Sequence, residues 1–269
     1  MSERDCALIA VNVGNTRTGV ALFFGKELQR SSRVSNAEID SIADLIFSLA
    51  DEISEHRPGV VRIVMAAVND SVVAEITNVV RNRIPDAEIH RVGVDFEAPI
   101  GRQVDVEAMV GQDRLLNAAA AYDSLKQACI IVDAGTAVTV DFVDGEGTFH
   151  GGAIAPGARM QIEGLHEHTA LLPEVEFAAP EEGAFGANTA QAMLHGVFYG
   201  IRGMVRYLAE RYAEAYQAYP MVIATGGDAH LIFDDDALIE RIDDDLGLRG
   251  IEAACRMAME SAEKFETKR

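Results

Sequence analysis

The chain has 269 residues, with 43 Asp and Glu against 23 Lys and Arg, giving a formal charge of −20. Its hydrophobic share of 49% supplies a buried core and excludes general disorder. Such an acidic surplus repels nucleic-acid phosphates and anionic lipid, but not a small phosphorylated molecule, which backbone N–H groups and cations can hold without lysine.

Cys6, Cys129 and Cys255 are odd in number and far apart, with no CxxC or Cys/His pattern. A disulfide framework or structural zinc is therefore not expected, and a reduced intracellular setting is. The start, MSERDCALIAV, carries acids and a short apolar run, unlike a signal peptide. The longest uncharged stretch, from Gly183 to Ile201, contains Asn188, Thr189, Gln191 and His195 and is too polar to cross a membrane. A soluble cytoplasmic protein is expected.

Along the chain, Ala7 to Val13 and Thr18 to Phe24 read as strands, the second followed by a hairpin turn at Gly25-Lys26. Ser35-Asn36-Ala37-Glu38 has the Ser-x-x-Glu spacing of a capping box. It precedes Ile39, Ile42, Leu45, Ile46, Leu49 and Ile53, which form one apolar helical face. Val60 to Val68 reads as a buried strand and Val72 to Val80 as a helix. Ala108 to Gln127 is Ala-rich and helical, and Cys129 to Asp133 is a strand. Val138 to Asp144 and Thr148 to Ile154 bracket an Asp-Gly turn. A long helix is expected over Thr189 to Tyr216, then a strand over Met221 to Thr225. Ile251, Cys255, Ala258, Ala262 and Phe265 line a closing amphipathic helix. This is α/β material without a Pro- or Ser-rich linker, and domains are expected over 1–115 and 116–269.

One segment occurs twice. Ile9 to Val20 resembles Ile130 to Asp141: an apolar strand, Asn or Asp, a small residue, Gly, a Thr-containing turn and a second strand. Gly14 and Gly135 let backbone N–H groups approach a ligand, and Thr16 and Thr136 add hydroxyls. Alone, each loop is better read as an ordinary hairpin; duplicated, the pair points to phosphate binding. Between them lies Gly111-Gln112-Asp113-Arg114, in which Asp could serve as a base and Arg could orient an anion. Taken alone, the motif is better read as a surface Asp-Arg pair at a helix start. His150 to Gly157 is a Gly/Pro-rich strand exit, and Thr225-Gly226-Gly227-Asp228 a strand-to-helix junction. Gly196, Gly200 and Gly203 share a helical face open to close packing. His166-Glu167-His168 is better read as solvated than as a metal site, and the acidic runs 234–236 and 243–245 as exposed loops or helix starts.

The motifs V-G-N-T, G-x-D-R, D-x-G-T-A-x-T-x-D, G-G-x-I-x-P-G, G-x-N-T and T-G-G-D, in this order over nearly the whole chain, resemble the type III pantothenate kinase family. The resemblance implies two ribonuclease-H-like domains of the actin-like ATPase superfamily flanking a cleft, and a homodimer. It implies ATP-dependent phosphorylation of pantothenate, the first step of coenzyme A biosynthesis, with Mg²⁺ and a monovalent cation, K⁺ or NH4⁺. By that resemblance Asn12, Val13, Gly14, Asn15, Thr16, Arg17, Thr18 and Gly19 hold the ATP phosphates, with Thr136 on the other side. Gly111, Gln112, Asp113, Arg114 and Thr189 bind pantothenate, Asp113 acts as base, and Asp133 holds the monovalent cation. Asn12 stands where the family carries Asp, and Val104 where it carries a pantothenate-contacting Tyr. These two departures leave open a relative that binds nucleotide or a pantothenate-like ligand without efficient turnover, or a superfamily kinase for another small alcohol.

Overall fold

The computed structural model describes residues 7–56, 60–105 and 107–266. Cys6 lies outside the described residues, as does the side chain of Phe265. In chain order the elements begin β1 (Ala7–Val13), β2 (Arg17–Phe24), β3 (Glu27–Ser35), α1 (Ile39–His56), β4 (Arg62–Ala67) and α2 (Asp70–Arg83). They continue with β5 (Glu88–Arg91), β6 (Gly101–Arg102), α3 (Gln112–Leu125), β7 (Cys129–Ala134), β8 (Ala137–Val143) and β9 (Thr148–Pro156). The last are α4 (Ala158–Glu167), α5 (Thr189–Tyr216), β10 (Met221–Thr225), α6 (Ala229–Phe233), β11 (Arg241–Ile242) and α7 (Leu246–Glu266).

These elements form two compact units, one of residues 7–56, 60–100, 107–123 and 245–266, the other of 101–105 and 124–244. The first holds a five-stranded sheet in the order β3-β2-β1-β4-β5. Its first three strands are antiparallel, while β4 and β5 run parallel to β1. The second unit repeats the plan in a six-stranded sheet, β11-β10-β7-β8-β9-β6. There β7, β8 and β9 are antiparallel, and β10 and β11 continue in parallel. Both are ribonuclease-H-like sheets, so the duplicated segment marks duplicated architecture.

Alternation along each first strand decides which side chains face which layer. In β1, Ile9, Val11 and Val13 join Ile42, Ile46, Leu49 and Ile76 in one core under α1 and α2. In β7, Ile130, Val132 and Ala134 join Ile162, Val197, Phe198 and Ile201 under α4 and α5. Each fully buried Ile, Leu or Phe contributes roughly 1.5–3 kcal/mol. The opposite face of β1 carries Leu8, Ala10 and Asn12, and α7 packs on β1, β2 and β4. Gly250 permits that placement, because a Cβ there would collide with the Leu116 carbonyl of α3. Within α7, Glu252 is buried and ion-paired to Arg256 at 3.0 Å, and Arg256 also reaches Asp123 of α3 at 2.8 Å. Burial pushes the Glu252 carboxyl up from its ordinary value, against the pull of Arg256.

Several boundaries differ from the sequence reading. Ser35 does not cap a helix: it ends β3, its Oγ accepts the Ala37 N–H, and its carbonyl accepts the Glu38 N–H. The helix enters three residues later, where the Ile42 N–H reaches the Glu38 carbonyl. Likewise α3 begins at Gln112 rather than near Ala108, since Gly111 supplies the first carbonyl to the Leu115 N–H. Among the described residues, no helix is long and apolar enough to cross a membrane. Cys129 is an inert thiol, which burial pushes up to about 12.

The acidic run 234–236 is not merely solvated. Arg202 pairs with Asp235 and Arg206 with Asp236 at 2.9 Å, tying the end of α6 to α5, while His230 pairs with Asp234 at 2.7 Å at the end of α6 itself. Asp236 is only 6% exposed. Asp244 lies 3.4 Å from the other nitrogen of His230. The hydrogen bond to Asp234, aided by the charges of Asp244 and Asp234, holds the imidazole above its usual value of 6.5. A pKa raised on folding stabilises the protonated form, so this contribution is complete below about pH 6.5 and fades as pH rises through the raised value. NMR titration should therefore place the His230 midpoint above 6.5 and return it towards 6.5 in Asp234→Asn. The melting-temperature gap between the parent and His230→Ala should narrow as pH rises.

Candidate active site

In the first unit, the loop between β1 and β2 is built by Gly14, Asn15 and Thr16. Its base is the Val13–Thr18 pair, and the Gly14 N–H donates to the Arg17 carbonyl at 3.0 Å. Asn15, Thr16 and Arg17 are exposed, whereas Thr18 and Gly19 are buried in the sheet. Asn12 lies on the α7 face of β1. A Cβ on Gly247 would stand 2.6 Å from Asn12 Nδ2 and 3.2 Å from Asn117 Oδ1, so both carboxamides converge on the first turn of α7.

Asn117 also places the Gly-Gln-Asp-Arg motif. It lies four residues after Asp113 in α3, on the same helical face. Asp113 Oδ1 accepts the Arg114 N–H at 2.9 Å, and Oδ2 has no hydrogen-bond partner among the described residues. A side chain on Gly111 would collide with this carboxylate, so glycine there keeps it accessible. Gln112 folds over Gly93, whose φ of +82° favours glycine. Its Oε1 is buried without a hydrogen-bond partner among the described residues, an acceptor in want of a donor.

In the second unit three separate motifs meet at one loop. Asp133 is the penultimate residue of β7, and Gly135 donates its N–H to the Ala137 carbonyl at 3.0 Å. The Thr136 carbonyl accepts the Gly157 N–H at 3.0 Å, and the Ala134 carbonyl accepts the Asp228 N–H at 2.9 Å. Gly157 begins α4 so tightly against this loop that any Cβ would strike the Gly135 and Thr136 carbonyls. Gly226, at φ +98°, would put a Cβ 2.5 Å from the Ala134 carbonyl and from Asp133 Oδ1. Arg159 Nη1 then spans both oxygens of buried Asp228 at 2.6 and 2.7 Å, joining the starts of α4 and α6. The sequence reading assigned no part to this clamp.

Thr189 opens α5 behind Asn188, which caps the helix by accepting the Gln191 N–H at 2.9 Å. It lines a cavity of about 710 Å³ with Pro156, Met160, Gln161, Thr169 and Met193. Pro156 directly precedes Gly157, so this cavity adjoins the second loop. Val104 lies elsewhere in the unit, 3.7 Å from a Cβ position on Gly151, and is not among the residues lining the Thr189 cavity. His166 Nδ1 donates to the Leu172 carbonyl at 2.8 Å, a structural role.

Residues 8–211 match the type III pantothenate kinase family profile. The chain belongs to this family. It is 32% identical to a type III pantothenate kinase of Dehalococcoides mccartyi over 96% of this chain and 99% of that one. It is 35% identical to that of Ruegeria pomeroyi over 91% and 95% of the two chains. Solved structures of similar fold include component A of (R)-2-hydroxyglutaryl-CoA dehydratase from Acidaminococcus fermentans. That match has a TM-score of 0.54 and 14% identity over 96% of this chain and 99% of that one. Ethanolamine utilization protein EutJ from Carboxydothermus hydrogenoformans gives 0.52 and 12% identity over 93% and 90%. Both likenesses concern the fold of actin-like ATPases alone. In this member of the pantothenate kinase family, Gly226→Ala should strain the backbone and displace Asp133, lowering stability by about 1–3 kcal/mol in denaturant titration. Gly227→Ala, with open space around it, should not.

Proposed function

We propose that the chain performs the reaction of its family, transfer of the γ-phosphoryl group of ATP to the 4′-hydroxyl of pantothenate, with Asp113 as base. The observation that carries this reading is the Asp113 carboxylate at the start of α3, left accessible by Gly111 and with an unengaged Oδ2. The pantothenate oxygen attacks the γ-phosphorus in line, the bond from phosphorus to the bridging oxygen breaks, ADP leaves, and the hydroxyl proton passes to Asp113. Arg114 and Thr189 orient the substrate, and the orphaned Gln112 Oε1 receives a donor from it, such as an amide N–H. The loop from Asn12 to Gly19 holds ATP phosphates, and Thr136 supplies a contact from the second loop.

Asp133 presents a carboxylate beside the second loop and fits a monovalent cation, which would offset phosphate charge there. The first loop does not fit a carboxylate-held Mg²⁺. Position 12 offers a neutral carboxamide packed against Gly247, and the roles assigned to the chain's own residues do not run through a protein-held magnesium. The reading includes a cytoplasmic setting and a homodimer; the open face at Gly196, Gly200 and Gly203, where an added Cβ meets nothing within 4 Å, supports close packing of another helix.

Coupled ADP-release assays with pantothenate, magnesium and potassium test the reading. Asp113→Asn should lower kcat by roughly 10²–10⁴-fold with the fold intact; equal rates in parent and variant would refute the assignment. Asn12→Asp restores the carboxylate that Mg²⁺ sites ordinarily use, and should lower the magnesium concentration for half-maximal rate by about tenfold. An unchanged magnesium response would show that the carboxamide at position 12 is no handicap.

A further inference from the structure

The first loop turns its carbonyl oxygens onto a single residue. Asn36 Nδ2 donates to the Gly14 carbonyl at 2.8 Å and to the Asn15 carbonyl at 3.1 Å. The Asn36 backbone N–H donates to the Thr16 carbonyl at 2.9 Å. The carboxamide is itself oriented, because the buried Thr18 Oγ1 donates to Asn36 Oδ1 at 2.8 Å and leaves the amino end facing the loop. In a planar trans peptide the C=O and the next N–H point in opposite directions. Drawing the Gly14 and Asn15 carbonyls inward therefore turns the Asn15 and Thr16 N–H groups away from Asn36, at exposed positions and without partners among the described residues.

The second unit shows which part of this is special. Asn36 follows β3 as Gly157 follows β9, and the backbone bond recurs: Asn36 N–H to the Thr16 carbonyl, Gly157 N–H to the Thr136 carbonyl. The first loop, however, is one residue longer, with Val13 paired to Thr18 where Ala134 pairs to Val138. Its Gly14 and Asn15 carbonyls take their hydrogen bonds from a side chain rather than from a following helix start.

We propose that Asn36 is a positioning residue for phosphoryl transfer, one that sets the polarity of the first loop so that N–H groups, and not carbonyl oxygens, meet the ATP phosphates. The proposal rests on the reading of that loop as phosphate-holding. In a chain of charge −20, a loop free to flip its peptides would present oxygen to an anionic ligand, and Asn36 removes that alternative.

The test uses the full chain in four forms: parent, Asn36→Ala, the nearly isosteric Asn36→Asp, and Thr18→Val, which releases the carboxamide without altering charge. Steady-state rates are measured with ATP and pantothenate varied separately, alongside melting temperature and equilibrium binding of a fluorescent ATP analogue. The expected result is a KM for ATP and an analogue Kd raised at least tenfold in both Asn36 variants and less in Thr18→Val. The KM for pantothenate should stay within threefold. Should Asn36→Ala fail to fold, Asn36→Asp and Thr18→Val decide. Unchanged ATP parameters, or a uniform loss of activity that tracks melting temperature, would overturn the proposal. A parent that binds the analogue but does not phosphorylate pantothenate would refute the substrate assignment alone, and analogue affinity would then decide the role of Asn36. A parent that binds no nucleotide would overturn both.

Discussion

The peptide group is a dipole, and a turn that exposes one end must bury the other. That constraint governs both strand–glycine–strand loops of this protein. In an acidic chain, fixed N–H groups are a means of meeting phosphate that adds no formal charge. Their carbonyls therefore need firm internal partners: Asn36 in the first unit, and the starts of α4 and α6 in the second. Much of the sequence around each loop follows from this need. Gly157 and Gly226 are small because backbone must touch backbone, and Asp228 is buried because Arg159 holds both of its oxygens.

The same alternation that fills the cores also selects what stands at the strand ends. Ile9, Val11 and Val13 commit one face of β1 to the core under α1 and α2, which leaves Asn12 on the face shared with α7 and α3. In β7, Ile130, Val132 and Ala134 do likewise, and Asp133 is left beside Gly226. Packing and site chemistry are thus two readings of a single period-two pattern. The difference between Asn12 and Asp133 is a difference in charge at equivalent places in two similar sheets.

Much of this was legible from residues in order. The repeat of Ile9–Val20 in Ile130–Asp141 foretold two sheets of like topology, and the long helix at Thr189–Tyr216 has the expected bounds. What failed was the reading of one local motif and of contacts between distant residues. Ser35-Asn36-Ala37-Glu38 has the spacing of a capping box, but its first residue is committed to β3 and its second to a loop twenty residues earlier, so long-range hydrogen bonds override the local motif. The pairing of Arg159 with Asp228 spans 69 residues, and no spacing rule reaches that far. The membership of α7 in the first unit depends on Gly247 and Gly250 meeting Asn12 and Leu116, a contact that chain order conceals.

That last placement bears on how the protein is made. Synthesis runs from the N-terminal end, yet one face of β1, the central strand of the first sheet, is covered by α7, which follows every strand of both sheets in the chain. The second unit is drawn from a mostly continuous middle stretch, all of which precedes α7. Leu8 and Ala10 are therefore covered by a helix drawn from far downstream in the chain. A chain cut just before α7 would keep every strand of both sheets and lose the cover on one face of β1.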